Sequence, residues 1–299
     1  MAGIQGTILI TGATGFIGRL LTQRLLGDGF SVRCMVRRST TAMPNGAEIV
    51  QGDMLEPATL VQALAGIDTA YYLVHSMSGG RAGFERRDRE AAENFVAAAN
   101  KANVRRVIYL GGLGETGDDL SEHLKSRLAV ADILKKGKFA TTFLRAAVII
   151  GAGGASFEMI RALVKHLPVM ITPRWVMTRC QPIDVGDVID YLAGCLIDER
   201  TSGRTFDIGG PEVLTYREMM ERLARIQGNK LYILPVPVLT PKLSSYWVGF
   251  ITPVPASVSM PLIEGLKNEV VCRDNAIRDI IPLQLKPYDE AVRNALKGG

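Results

Sequence analysis

Aromatic residues make up only 6% of this 299-residue chain, and histidines number only three. The first shortage argues against a stacking platform for single-stranded nucleic acid, which needs a row of aromatic faces. The second leaves no histidine-based metal site, so no metal is expected. Four cysteines (Cys34, Cys180, Cys195, Cys272) lie far apart without a Cys-x-x-Cys pair. That spacing excludes a zinc ribbon or a disulfide framework and points to a reducing cytoplasm. The first strand begins almost at once, which leaves no room for a secretory signal. A strong charge of one sign is lacking too: 35 Lys and Arg stand against 30 Asp and Glu. The bases are interleaved with acids, as in Glu85-Arg86-Arg87-Asp88-Arg89-Glu90, which reads as a solvated helix face and not a nucleic-acid groove.

What the chain does have is 47% hydrophobic residues and a regular alternation of short apolar runs with longer helical patterns. Strands are expected at 7–11, 31–36, 48–51, 69–74, 106–110 and 141–150. Helices are expected near 16–26, 57–65, 84–102 and 120–136. Such alternation calls for parallel pairing with right-handed crossovers, hence an α/β, doubly wound parallel sheet. Its ligand belongs at the carboxyl ends of the strands, where the strand order reverses. Beyond Gly151 the pattern turns irregular, with helices near 157–166, 185–197 and 216–226 and strands near 204–208 and 231–234. Six of the 14 prolines fall between Pro235 and Pro261, which excludes a regular sheet interior there. The expected division is a nucleotide-binding core over residues 1–155, to which 176–210 returns. A smaller, irregular C-terminal substrate lobe takes 156–175 and 211–299.

The main chemical signal is Thr11-Gly12-Ala13-Thr14-Gly15-Phe16-Ile17-Gly18, which follows a strand and opens a helix. In such a turn Gly12 permits the tight bend, Gly15 lets the backbone approach a pyrophosphate, and Gly18 lets helix and sheet pack closely. Free amides and the dipole at the helix start favour the phosphates.

The segment TGATGFIG resembles the fingerprint of the extended and atypical short-chain dehydrogenase/reductases, with Gly-x-x-Gly-x-x-Gly spacing. Further likeness lies in GD at 52–53, YYLVHSM at 71–77, RRVIYLGGLG at 105–114, FLRAAVIIG at 143–151, QPIDVGDV at 181–188 and FDIGGPEVLTYREMM at 206–220. The chain is similar to bacterial NAD(P)H-binding proteins of the atypical group, of the NAD-dependent epimerase/dehydratase kind. It resembles more distantly the NmrA-like regulators and the NADPH-holding accessory subunit of respiratory complex I. The resemblance implies a Rossmann sheet with Gly12, Thr14, Gly15, Phe16, Ile17 and Gly18 around the pyrophosphate. It also implies that Asp53 holds the adenine amino group with Met54 against the ring. Val74, His75 and Ser76 would lie along the ribose and nicotinamide, with Arg145, Ala146 and Ala147 on the nicotinamide side.

An NAD-preferring site ends its second strand with an acid that accepts from the ribose hydroxyls. Here that strand ends Met35-Val36-Arg37-Arg38-Ser39. Arginine binds a 2′-phosphate bidentately, so NADP(H) is expected over NAD(H).

Active members of the family carry Tyr-x-x-x-Lys on a helix, a spacing that puts both side chains on one face. The matching stretch is His123-Leu124-Lys125-Ser126-Arg127, with His123 in the tyrosine's place and Arg127 in the lysine's. The serine that polarises a carbonyl is replaced by Gly111-Gly112. His75 and Tyr109 are fallback donors. Two readings stay open. One is an NADP(H)-dependent oxidoreductase or epimerase-like enzyme acting on a small apolar or quinone-like substrate; the other is a non-catalytic NADP(H)-binding redox sensor or assembly protein. Residues 243–263 carry no charge, but three prolines and five Ser or Thr argue against a membrane-spanning helix. Lining a pocket, or contacting a protein or membrane surface, is expected of that stretch instead.

Overall fold

A computed structural model describes residues 6–38, 42–74, 81–113, 122–236, 266 and 268–298. The first half runs β1 (Thr7–Thr11), α1 (Phe16–Gly27), β2 (Val32–Val36), β3 (Glu48–Gln51), α2 (Pro57–Leu64), β4 (Ile67–Tyr72), α3 (Arg81–Lys101), β5 (Arg106–Gly112), α4 (Glu122–Leu134) and β6 (Ala140–Ala146). There follow β7 (Ile149–Ile150), α5 (Ala155–His166), β8 (Val169–Pro173), β9 (Arg179–Cys180), β10 (Ile183–Asp184), α6 (Val185–Ile197), β11 (Thr205–Ile208), β12 (Leu214–Thr215), α7 (Tyr216–Ile226), β13 (Tyr232–Val236), α8 (Ala276–Ile280) and α9 (Tyr288–Lys297).

Seven strands form one sheet in the order β11-β6-β5-β4-β1-β2-β3. Every neighbouring pair is parallel. The chain builds outward from β1 to β3, then crosses back to lay β4 on the other side of β1. The strand order therefore reverses between β1 and β4, and their carboxyl ends splay into a crevice. This is the expected doubly wound α/β fold.

A parallel sheet is covered on both faces, so its strands are apolar throughout and alternate residues serve opposite layers. Ile8 and Ile10 face a layer with Leu21 and Leu25 of α1 and Val188 and Leu192 of α6. Leu9 faces the other layer with Leu60 of α2, Phe95 of α3 and Leu134 of α4. A third core lies off the sheet. It gathers Leu113, Val148 and Ile150 with Phe157 and Leu163 of α5, Met219 and Leu223 of α7, and Val292 of α9. Because Leu113 follows β5 directly, this third core sits at the carboxyl edge of the sheet, beside the crevice.

Several details depart from the sequence reading; among them, β9, β10, β12, α8 and α9 were not expected. The strand expected over 141–150 ends at Ala146, and Ile149–Ile150 instead pairs with β10 away from the main sheet. Strand β8 was not expected, because its outward residues Val169 and Ile171 are apolar and hide the alternation that marks a half-buried strand.

The C-terminal segment is tied down by charge. Asp184 caps α6, accepting from the Gly186 and Asp187 amides at 2.8 and 3.3 Å. Asp184 and Asp187 are both buried, and the Lys286 ammonium lies 3.2 Å from Asp184 and 2.5 Å from Asp187. Burial pushes the Asp187 carboxyl up, against the pull of Lys286. Lys286 itself is shifted up: burial works against its charge, but the two carboxylates prevail.

Candidate functional site

The turn between β1 and α1 uses three glycines for three different reasons. Gly12 has φ +68°, and a β-carbon there would stand 2.5 Å from the Leu73 carbonyl oxygen at the end of β4. At Gly18 a β-carbon would lie 2.2 Å from the Gly12 carbonyl oxygen, so helix and turn touch backbone to backbone. Gly15 differs. Its backbone is ordinary extended chain, and a β-carbon there would meet only the Gly12 oxygen, at 3.2 Å. The chain's own packing does not demand a glycine at that position; the space outside it does.

Gly15 is also the N-cap of α1, and no side chain caps the helix or places an acid in its first turn. The helix therefore presents its first amides and the positive end of its dipole at the crevice, where an anion is favoured. Thr14 and Gly15 are exposed, while Phe16 and Ile17 are half-buried. The Phe16 ring rests on a second glycine turn: a β-carbon at Gly151 would sit 2.7 Å from its Cζ, and one at Gly154 3.0 Å from its Cε1. Beneath the crevice, the Thr11 hydroxyl donates to the Tyr71 carbonyl at 2.9 Å and accepts from the Leu73 amide at 3.2 Å. It pins β1 to β4 where the strands part. Sequence reasoning took Thr11 for the last strand residue and missed this role; a hydroxyl at that place in the turn was the available signal.

At the end of β2, Arg37 and Arg38 are exposed, and Gln51 steadies the turn by donating to the Arg37 carbonyl at 3.3 Å. In sequence this strand end, Met35-Val36-Arg37-Arg38, carries no acid. Ser39 lies outside the described residues. Asp53, at the end of β3, accepts from the Leu55 amide at 2.9 Å through Oδ1, which shapes the lead into α2. Met54 buries its side chain in the core, and its carbonyl accepts from Asn94 at 2.9 Å. Val74 is half-buried beside the Gly12 turn; His75 and Ser76 lie outside the described residues.

On the far side of the crevice, the Leu113 amide donates to the Ala146 carbonyl at 2.8 Å. Arg145 is drawn sideways along the sheet edge. It meets Asp207 of β11 at 2.6 Å, and Asp207 also accepts from the Arg273 amide at 3.0 Å. Ala146 is buried and Ala147 half-buried. Asp207 was not singled out from the sequence, although its place one strand over from Arg145 follows from the register.

Helix α4, which follows β5 in the chain, carries His123 in its first turn and Arg127 in its second. Four residues apart, the two positions share a helix face; the His123 side chain is outside the described set. Next to Arg127, Ser126 donates to the buried Asp88 of α3 at 3.1 Å. The Arg127 Nε is buried and has no hydrogen-bond partner. A buried guanidinium nitrogen left without an acceptor is costly unless a ligand supplies one. Tyr109 packs in the core, its ring 6.0 Å from that of Tyr72 and 5.7 Å from that of Phe143.

The glycine turn and the β2 arginines thus follow the carboxyl ends of β1 and β2, and Arg127 lies in the second turn of α4, the helix after β5. The structure buries Met54 and commits Arg145 to Asp207. Among the described residues no group of acids, histidines and cysteines is placed to hold a metal, and no helix is long and apolar enough to cross a membrane. Residues 243–263 lie outside the described residues.

A family model described as NAD(P)H-binding matches residues 12–161. The chain is 30% identical over 233 residues, 75% of each protein, to (4-alkanoyl-5-oxo-2,5-dihydrofuran-3-yl)methyl phosphate reductase of Streptomyces griseus. It is 26% identical, over its whole length and 80% of the relative, to mitochondrial NADH dehydrogenase (ubiquinone) 1 alpha subcomplex subunit 9 of Arabidopsis thaliana. Among solved structures, triphenylmethane reductase of Citrobacter sp. complexed with NADP(H) has a TM-score of 0.78 at 22% identity, covering 96% of this chain and 99% of the other.

Proposed function

Because the chain belongs to the NAD(P)H-binding family of atypical short-chain dehydrogenase/reductases, we propose that it is an NADP(H)-dependent reductase acting on a small, largely apolar substrate. The observation that carries this reading is the glycine turn. Gly12 and Gly18 are required by contacts within the chain, whereas Gly15 is open on the outside, directly over the uncapped start of α1. A pyrophosphate fits that cradle, and the unpartnered Arg127 Nε is a donor for a ribose hydroxyl. The bound dinucleotide would supply hydride. The third core, at the carboxyl edge of the sheet, would form the apolar wall of the substrate pocket.

The preference for NADP(H) rests on Arg37 and Arg38 at a strand end that carries no acid. An arginine pairs with a 2′-phosphate in charge-assisted hydrogen bonds. Arg37→Asp is expected to weaken NADPH binding by about 1–3 kcal/mol, with NADH nearly unaffected. Titration calorimetry with both cofactors checks this; equal affinities in the unsubstituted protein would remove the preference. A reducing cytoplasm is proposed on the scattered spacing of the four cysteines alone.

A second reading, a non-catalytic NADP(H)-binding subunit or sensor, is favoured by one observation. Arg127 stands where a lysine would relay a proton, and a guanidinium does not hand on a proton at neutral pH. Incubating the NADPH-loaded protein with carbonyl and quinone panels separates the two, since a sensor binds without turnover. Where a substrate turns over, His123→Ala is expected to lower the rate by less than about a hundredfold, the lower end of general acid–base catalysis. A larger loss would make His123 the proton donor.

A further inference from the structure

The small parallel pair β8–β13 closes the third core with one face and leaves the other bare. Register sets Tyr232 beside Val169 and Leu234 beside Ile171. These four side chains are 60, 54, 56 and 63% exposed, in that order, while Met170 and Ile233 between them are buried. A sheet with one face in a core ordinarily turns polar residues to water on the other. Here all four outward positions are apolar. Met177, in the turn after β8, adds another exposed apolar side chain, 50% exposed.

The chain segments that carry this face bring charge of one sign. From Met159 to Ile183, the stretch carrying β8, the sequence holds Arg161, Lys165, Arg174 and Arg179 and no acid. From Arg222 to Val236, the stretch carrying β13, it holds Arg222, Arg225 and Lys230 and no acid. Arg161 is neutralised by Glu158, and Arg222 by Glu212 and Asp289. Lys165, Arg225 and Lys230 are exposed and form no ion pair with an acid among the described residues. The two strands start side by side, since the Tyr232 amide donates to the Pro168 carbonyl at 2.9 Å. Lys165 and Lys230, which shortly precede Pro168 and Tyr232 in the chain, therefore lie toward the same end of the bare face.

We propose that the outer face of β8–β13 docks on the interfacial region of an anionic lipid bilayer. Aliphatic side chains enter the acyl boundary, a tyrosine sits at headgroup level, and lysines at the rim meet lipid phosphates. The exposed Lys165, Arg225 and Lys230 on these segments set this occupant apart from a second copy of the chain, because two such faces would oppose like charges. None of these residues belongs to the glycine turn.

The test is cosedimentation of the full chain with vesicles of phosphatidylcholine, and of phosphatidylcholine mixed with phosphatidylglycerol. Binding to the anionic vesicles is expected to be at least about tenfold tighter and to weaken in high salt. Ile171→Glu with Leu234→Glu, at exposed positions, should leave the thermal midpoint unchanged and reduce vesicle binding by at least about tenfold. Lys165→Gln with Lys230→Gln changes no apolar residue and should cost about fivefold per lysine on anionic vesicles only. Absence of binding to anionic vesicles would overturn the proposal. So would unchanged binding by both variants, or a self-associated form that the Glu pair dissolves while vesicles bind neither protein.

Discussion

Gly15→Val is expected to give a folded protein that binds NADPH at least about a hundredfold more weakly than the unsubstituted chain. The backbone at Gly15 is extended, with φ −75° and ψ 173°, a conformation valine adopts freely. Its β-carbon meets only the Gly12 oxygen, at 3.2 Å, which a shift of a few tenths of an ångström relieves. The added side chain then occupies the place from which the α1 amides reach a phosphate. The same change at Gly18 would drive a β-carbon to 2.2 Å from a carbonyl oxygen and disrupt the fold along with the site, so it distinguishes nothing. Circular dichroism and the thermal midpoint establish that Gly15→Val folds; calorimetric titration with NADPH reads the loss. Unchanged affinity in a folded variant would take the phosphate off this turn.

Lys286→Met is expected to destabilise the protein by about 3 kcal/mol near neutral pH, because it strips the ammonium from two buried carboxylates. The sign of the pH dependence follows from Asp187. Burial already holds its carboxyl above the usual range, and Lys286 opposes that rise. Without the ammonium the folded-state value climbs further above the unfolded one. An acid raised in the folded state costs nothing while it is protonated in both states. The penalty grows as pH climbs from the unfolded value to the folded one, and is complete above the latter. The difference in urea midpoint between variant and parent should therefore be small near pH 4 and full near pH 7. Asp187→Asn in the Lys286→Met background should recover part of the loss at pH 7 and little at pH 4. A difference independent of pH would mean that Lys286 acts through its methylenes and not its charge.

The sheet was legible because a parallel core writes itself into local sequence. Runs such as Thr7–Thr11 and Val32–Val36 are largely apolar and buried, and the first leads directly into a helix-length stretch. The glycine turn was legible for the same reason, since eight consecutive residues carry it. The third core was not. Its side chains come from Leu113, from 148–180, from 214–233 and from 266–295, and no local period joins pieces so far apart. Nor was Lys286, whose partners lie about a hundred positions upstream; only the capping pattern Asp184-x-x-Asp187 ahead of an apolar run hinted at one half of that cluster. At the catalytic position the sequence showed a substitution, His123 and Arg127, and the neighbouring Ser126–Asp88 contact emerged only when α3 and α4 were packed together.

Contact between Gly12 and the Leu73 carbonyl bears on how such a fingerprint is transplanted. A designer grafting these eight residues onto another strand–helix junction would carry across the glycine and leave behind the reason for it. That reason is the end of β4, more than sixty positions away, which comes so near that any side chain would strike it. Without a parallel neighbour at that distance, the graft would keep a flexible, entropically costly turn with nothing to hold it in shape. The Thr11 hydroxyl, which joins the same two strands, would lose both of its partners. The portable unit is therefore the turn together with the end of its neighbouring strand, two pieces of chain that a motif search never reads as one.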